Sequence, residues 1–253
     1  MSELSPLQSM AALLPASRKS TKEFLESLRQ APERDELLSC LSLFVSLAHD
    51  AKGQVFQDLW ALWASGLKSG GYFVEFGALD GVNLSNTWLL EKQFGWRGIL
   101  AEPNPSFHNA LRSNRDCEIS TECVWTRTGE TMEFLVTRSA ELSRLANVVP
   151  DDPHEALRLR RATTIQVQSI SLNDLLLQNG APKTIDFLSI DTEGSELTIL
   201  ESFDFDRWDV RALTVEHNFT AARDQLQQLL EARGYHRKFE RFSRGDDWYI
   251  KAP

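Results

Sequence analysis

The run Tyr72-Phe73-Val74-Glu75-Phe76, stopped by Gly77 and followed by Ala78-Leu79-Asp80-Gly81, constrains the fold more than any other stretch of this chain. It is the length and residue type of a buried strand, and a glycine ends it. Short apolar runs then alternate with helix-spaced ones. Residues 98–101, 117–126, 185–190 (closed by Asp191) and 213–215 (closed by Glu216-His217-Asn218) read as strands. Helices are expected over 83–94, 106–113 and 171–179, and along the face Phe219, Ala222, Leu226 and Leu229. Gly234 sits where a helix-ending glycine belongs. Residues 131–137 and 164–170 read as added strands, and 235–242 with 248–251 as a terminal antiparallel pair. Such alternation predicts an α/β fold, a doubly wound and mostly parallel sheet with right-handed crossovers.

Residues 1–70 carry helical spacing instead, as in Leu37, Leu41, Phe44, Val45 and Ala48. The expected division is an N-terminal helical extension over 1–70 and one catalytic-type domain over 71–253. The 253 residues suit that, being one domain plus an appendage at about 150 residues per domain. Lys and Arg number 27 against 36 Asp and Glu, a net charge of −9, which argues against nucleic acid as a partner. The one basic cluster, Arg158, Arg160 and Arg161, is too short for a polybasic membrane surface. No window reaches the ~20 apolar residues of a membrane span. The opening Met1-Ser2-Glu3-Leu4 lacks the basic start of a secretory signal. Cys40, Cys117 and Cys123 are odd in number and lack zinc spacing, so reduced thiols in the cytoplasm are expected.

In a doubly wound sheet, ligands sit at the carboxyl ends of the strands. A dinucleotide fingerprint places a glycine two residues after its first, and here that residue is Leu79, so an NAD reading fails. The remaining pattern, acidic-x-Gly-x-x-x-Gly over Glu75, Gly77 and Gly81, suits a ligand with a small charged group and no pyrophosphate. Glu102 closes the second strand, where an acidic side chain can accept both ribose hydroxyls of a nucleoside. Ribose without pyrophosphate points to S-adenosylmethionine (SAM).

The segments Phe73 to Gly81, Ser85-Asn86-Thr87, Leu90-Glu91, Gly95-Trp96-Arg97-Gly98 and Glu102-Pro103-Asn104-Pro105 together resemble the FkbM-type methyltransferases. So do Ser189-Ile190-Asp191-Thr192-Glu193-Gly194-Ser195-Glu196 and Glu216-His217-Asn218. The resemblance spans residues 54–250 and leaves 1–53 outside. It implies a Rossmann-like, seven-stranded methyltransferase sheet that transfers methyl from SAM to a hydroxyl of a small metabolite, polyketide or saccharide. Implied cofactor contacts are Glu75, Gly77, Asp80, Gly81, Asn86, Glu102, Pro103, Cys123, Val124 and Asp191. Leu79 departs from the family, which often has Asn there. Gln54, Gln57 and Asp58 would fold over the cofactor.

Methyl transfer needs an oriented acceptor and a place for its proton. Two mechanisms fit these residues. In one, Asp191, Glu216 and Asn218 hold a divalent metal such as magnesium through oxygen, similar to metal-dependent catechol-type O-methyltransferases. In the other, His217 or Asp191 is a metal-free general base. A third reading makes Asp191 and Glu193 turn-forming residues only. Residues 138–162 are a candidate lid, and Arg158, Arg160 and Arg161 could meet an anionic acceptor. A non-catalytic binding module and another nucleotide-dependent α/β enzyme are the competing classes.

Overall fold

A computed structural model describes residues 33–149, 155–159 and 161–252. The expected helical character of residues 1–32 and the readings that touch 150–154 and Arg160 lie outside them. The chain divides into two compact units, 1–51 and 52–253. In the first, the helix Arg34–Leu47 buries Leu37, Cys40 and Phe44 along one face and leaves Val45 exposed. Asp35 and Glu36 sit in its first turn, where the helix dipole favours negative charge.

The second unit opens with the helix Gln57–Ala64, whose Trp60 packs against Trp248 and Phe187 at ring separations of 5.3 and 6.3 Å. The strands follow as β1 (Tyr72–Phe76), β2 (Arg97–Ala101), β3 (Glu118–Ser120), β4 (Cys123–Trp125), β5 (Thr131–Val136), β6 (Arg144–Leu145), β7 (Thr163–Ser171), β8 (Thr184–Ile190), β9 (Asp209–Glu216), β10 (Tyr235–Lys238) and β11 (Asp246–Lys251). Seven form one sheet in the order β10-β11-β9-β8-β1-β2-β3. Its pairs β9–β8, β8–β1, β1–β2 and β2–β3 are parallel, and β11 joins β9 and β10 antiparallel. This is the expected sheet, including its antiparallel C-terminal pair. Val74, Phe76, Ile99, Leu188, Ile190, Leu213 and Val215 fill the core beside the central strands. Strands flanked by helices must be apolar through several consecutive positions, which is why these runs do not alternate.

Local details differ from expectation, each for a physical reason. The expected strand 117–126 is two strands in two sheets. Ser120 Oγ accepts the Glu122 N–H (3.2 Å) and turns the chain out of the main sheet. β4 then enters a second sheet, ordered β4-β7-β5-β6. The helix expected from residue 83 starts at Trp88. The intervening donors are drawn to side chains instead: Asn83 N–H to Asp80, and Asn86 N–H to Glu75. The expected terminal strand 235–242 stops at Lys238, where Phe239 turns left-handed (φ 51°) and a short helix, Glu240–Ser243, begins. Within 138–162 the structure has a 3-10 turn (Ala140–Leu142), β6 and a short helix, Glu155–Arg158.

Candidate active site

The chain runs from β1 outward to β2 and β3, then returns to the other side of β1 as β8. The order reverses at β1, so the connections leaving the neighbouring strand ends run in opposite directions and leave a crevice between them. A cleft with about 770 Å³ of empty space, open solvent included, lies at this point. Its lining includes Glu75, Gly77, Asn86, Glu102, Pro103, Cys123, Val124 and Asp191, eight of the expected cofactor residues. The second sheet and the segment after β5 add Phe134, Ala140, Glu141, Ser143 and Leu145. Four of them fall in the segment 138–162 expected as a candidate lid, whereas nothing in the sequence marked Phe134, whose strand carries no site motif.

Gly77 has φ 80°, and a Cβ on it would lie 2.3 Å from the carbonyl oxygen of Asp191. The glycine therefore lets the end of β1 press against the end of β8. Leu79 is also left-handed (φ 48°), and its N–H donates to Glu102 Oε2 (2.8 Å). The Asn104 N–H donates to Glu102 Oε1 (2.8 Å). Each carboxylate oxygen keeps a lone pair for a ligand hydroxyl. Burial pushes the Glu102 carboxyl up to about 7 against the pull of these two bonds.

Glu75 is buried and spends its carboxylate within the protein. It accepts from Ser85 Oγ (3.0 Å), the Asn86 N–H (2.7 Å) and Thr87 Oγ1. Asn86 donates Nδ2 to Ser189 Oγ (2.9 Å), while its buried Oδ1 has no donor among the described residues. Two expected contacts stand outside the lining. Asp80 Oδ1 accepts the Val82 and Asn83 N–H groups (2.9 and 2.8 Å), so Asp80 builds the turn. Gly81 (φ 78°) faces Leu111 and the stem of Arg115, which a Cβ would strike at 2.6 and 2.7 Å. Gln57 and Asp58 are also outside it. Gln57 Nε2 donates to Asp246 Oδ2 (2.6 Å), and Asp58 Oδ2 accepts the Lys52 N–H (2.7 Å).

Carboxylates crowd the ends of β8 and β9. Ligand oxygens of Asp191, Glu193 and Glu216 lie within 4.8 Å of one another. Burial, then the charges of Glu193, Asp246 and Glu196, hold Asp191 well above the usual carboxylate range; a hydrogen bond with Glu216 acts the other way. Burial and Asp191 do the same to Glu216. Glu196 is tied to the Thr192 N–H (2.8 Å) and the Gly194 N–H (3.1 Å). Of the expected metal set, Asp191 and Glu216 do converge, joined by Glu193, as carboxylates that could hold a divalent ion. Asn218 turns its Nδ2 toward Glu216 Oε1 (2.8 Å), presenting a donor where a ligand oxygen is needed. Glu193, the third carboxylate, is bonded to the guanidinium of Arg158. That burial also removes Arg158 as an exposed contact for an anionic acceptor.

His217 lines a neighbouring cavity with Gly194, Glu196, Glu216, Asn218 and Leu226, and is not in the lining of the first cleft. Its Nδ1 accepts the Phe219 N–H (2.9 Å), and its Nε2 lies 3.7 Å from Asp247 Oδ1. Burial holds its pKa down, so the ring is neutral near pH 7. Asp191 is the candidate base that the first cleft contains.

The Methyltransferase FkbM domain matches residues 75–237. A solved FkbM methyltransferase from Methylobacillus flagellatus KT is similar at 13% identity and TM-score 0.44, over 86% of this chain and 59% of that one. The precorrin-6y C5,15-methyltransferase from Geobacter metallireducens GS-15 is similar at 12% identity and TM-score 0.40, over 72% of this chain and 71% of that one. No curated protein matches the chain.

Proposed function

This chain belongs to the FkbM methyltransferase family, and from that premise we propose that it transfers the methyl group of SAM to a hydroxyl of a small metabolite, polyketide or saccharide. The observation that carries the reading is the convergence of the Gly77 turn, Glu102 and Asp191 on one cleft from the ends of three adjacent strands. Glu102 accepts the ribose hydroxyls with the lone pairs its backbone partners leave. Asn86 Oδ1, buried and without a donor, accepts from the ammonium of the methionine end. Pro103, Cys123 and Val124 border the adenine.

SAM brings the activated methyl group. As the acceptor oxygen bonds to the methyl carbon, the carbon–sulfur bond breaks and the sulfonium becomes the neutral thioether of S-adenosylhomocysteine (SAH). The hydroxyl proton passes to Asp191. Its raised pKa makes it a stronger base than an exposed aspartate once it is ionised. We assign no step to a metal. The free thiols Cys40, Cys117 and Cys123 favour the cytoplasm as the place of action. Calorimetry tests the reading: SAM and SAH bind and NAD does not. Binding of NAD without SAM overturns it.

A further inference from the structure

We propose that the cavity at the end of β9 admits the methyl acceptor, that this acceptor is an uncharged alcohol on an apolar body, and that Phe219 selects it. The proposal deepens the methyl-transfer reading and rests on it.

This cavity has about 640 Å³ of empty space, open solvent included. The turn that leaves β8 stands between it and the SAM cleft. Asp191, Thr192 and Ser195 line the cleft, whereas Gly194 and Glu196 line the cavity. The end of β9 repeats the relation: Glu216 lines the cavity and shares a hydrogen bond with Asp191. A molecule seated in the cavity therefore has the Asp191–Glu216 pair between it and the cofactor.

The lining sets the acceptor's chemistry. It includes the carboxylates of Glu196 and Glu216 and, among the described residues, no lysine or arginine. An anionic acceptor would lose its water with no cation to receive it. The start of the helix Ala222–Glu231 borders the cavity, and Asp224 in its first turn already answers the positive end of that helix dipole. Much of the remaining wall is apolar: Val149, which is 65% exposed, Ala221, Ala222 and Leu226.

Phe219 stands beside this wall. It lies between Asn218 and Thr220, both lining residues, and its ring meets that of His217, a third, edge-on with centroids 5.2 Å apart. The residue is 73% exposed, on a left-handed backbone (φ 59°) that a bulky side chain rarely adopts. Two bonds fix the turn: the Phe219 N–H donates to His217 Nδ1 (2.9 Å), and the Asn218 N–H to the Gly245 carbonyl (3.1 Å). A strained turn that holds a large ring in water beside a cavity is suited to contact with an apolar ligand.

Two probes with the same apolar body and different charge test this on the SAH complex: naphthol, neutral at pH 7, and naphthalenesulfonate, an anion. Ligand-observed NMR titration is expected to give naphthol a dissociation constant at least about tenfold below that of the sulfonate, whose desolvation no cation offsets. Ala222→Phe, which fills the cavity, abolishes naphthol binding. Phe219→Asn removes the ring while keeping a residue that tolerates the left-handed turn, and weakens naphthol binding about threefold or more. In both variants SAH affinity stays within about twofold of wild type, which shows that each is folded. Equal binding of the two probes overturns the proposal, as does absence of naphthol binding, or naphthol affinity unchanged in either folded variant. Should Ala222→Phe not fold, Phe219→Asn decides alone. A wild type that binds no SAH, yet prefers naphthol and loses that preference in Phe219→Asn, defeats the methyl-transfer reading and leaves the selectivity of the cavity standing.

Discussion

Glu102 is asked to do two things that favour opposite charge states. Burial favours its neutral form, with a pKa of about 7, while accepting two ribose hydroxyls favours its ionised form. The sign follows. A carboxyl whose folded pKa is raised contributes stability below its unfolded value of about 4.3, and loses that contribution as pH rises through about 7. Ligand binding runs the other way, because protonation converts an acceptor into a donor. SAH affinity is therefore expected to fall as pH drops below 7, approaching about tenfold per pH unit, and to be weaker and flat with pH in Glu102→Gln. Calorimetry between pH 6 and 8 checks it. A wild-type affinity constant over that range would remove Glu102 from the ribose contact.

Among the elements, the turn from β1 to the helix Trp88–Phe94 departs furthest from simple periodicity. Apolar spacing alone predicts a helix from residue 83, but a buried carboxylate and a buried guanidinium claim the donors and acceptors first. Arg115 donates Nε to Glu91 (2.8 Å), Nη2 to Thr87 Oγ1 (2.9 Å), and Nη1 to the Gly81 carbonyl and Ser85 Oγ (both 3.1 Å). It thus holds both ends of the turn that places Asn86. Removing one partner of a buried charge network costs roughly 3–5 kcal/mol. Arg115→Met is expected to lower the melting temperature by about 6 °C or more and to weaken SAH binding, since Asn86 loses its support. If melting falls and SAH affinity does not, the turn is set by Glu75 alone.

At the scale of the molecule, every lining residue of the cleft belongs to the unit 52–253. We expect that unit to be the binding domain. Prepared by itself, it should bind SAH within about threefold of the full chain, less than 1 kcal/mol. Loss of SAH binding by a fragment that still melts cooperatively would make residues 1–51 part of the cofactor site. No described helix is long and apolar enough to cross a membrane.

The sequence by itself determined the parallel sheet, the Gly77 turn and the positions of Glu102 and Asp191 at strand ends. Those features depend on local pattern: an apolar run of strand length, a glycine that stops it, an acidic residue just beyond. It also carried the family, through motifs spread along the chain in a fixed order. Tertiary structure decided which donor reaches which carboxylate. Arg158 and Glu193 are 35 residues apart, and Glu75 and Asn86 are 11 apart across a turn. No periodicity encodes such pairings, because they follow from how buried charges must be satisfied once the chain has folded. The same holds for the second sheet. Ser120 bends the chain out of the first, and only the folded molecule brings Phe134 and Leu145 to the cleft.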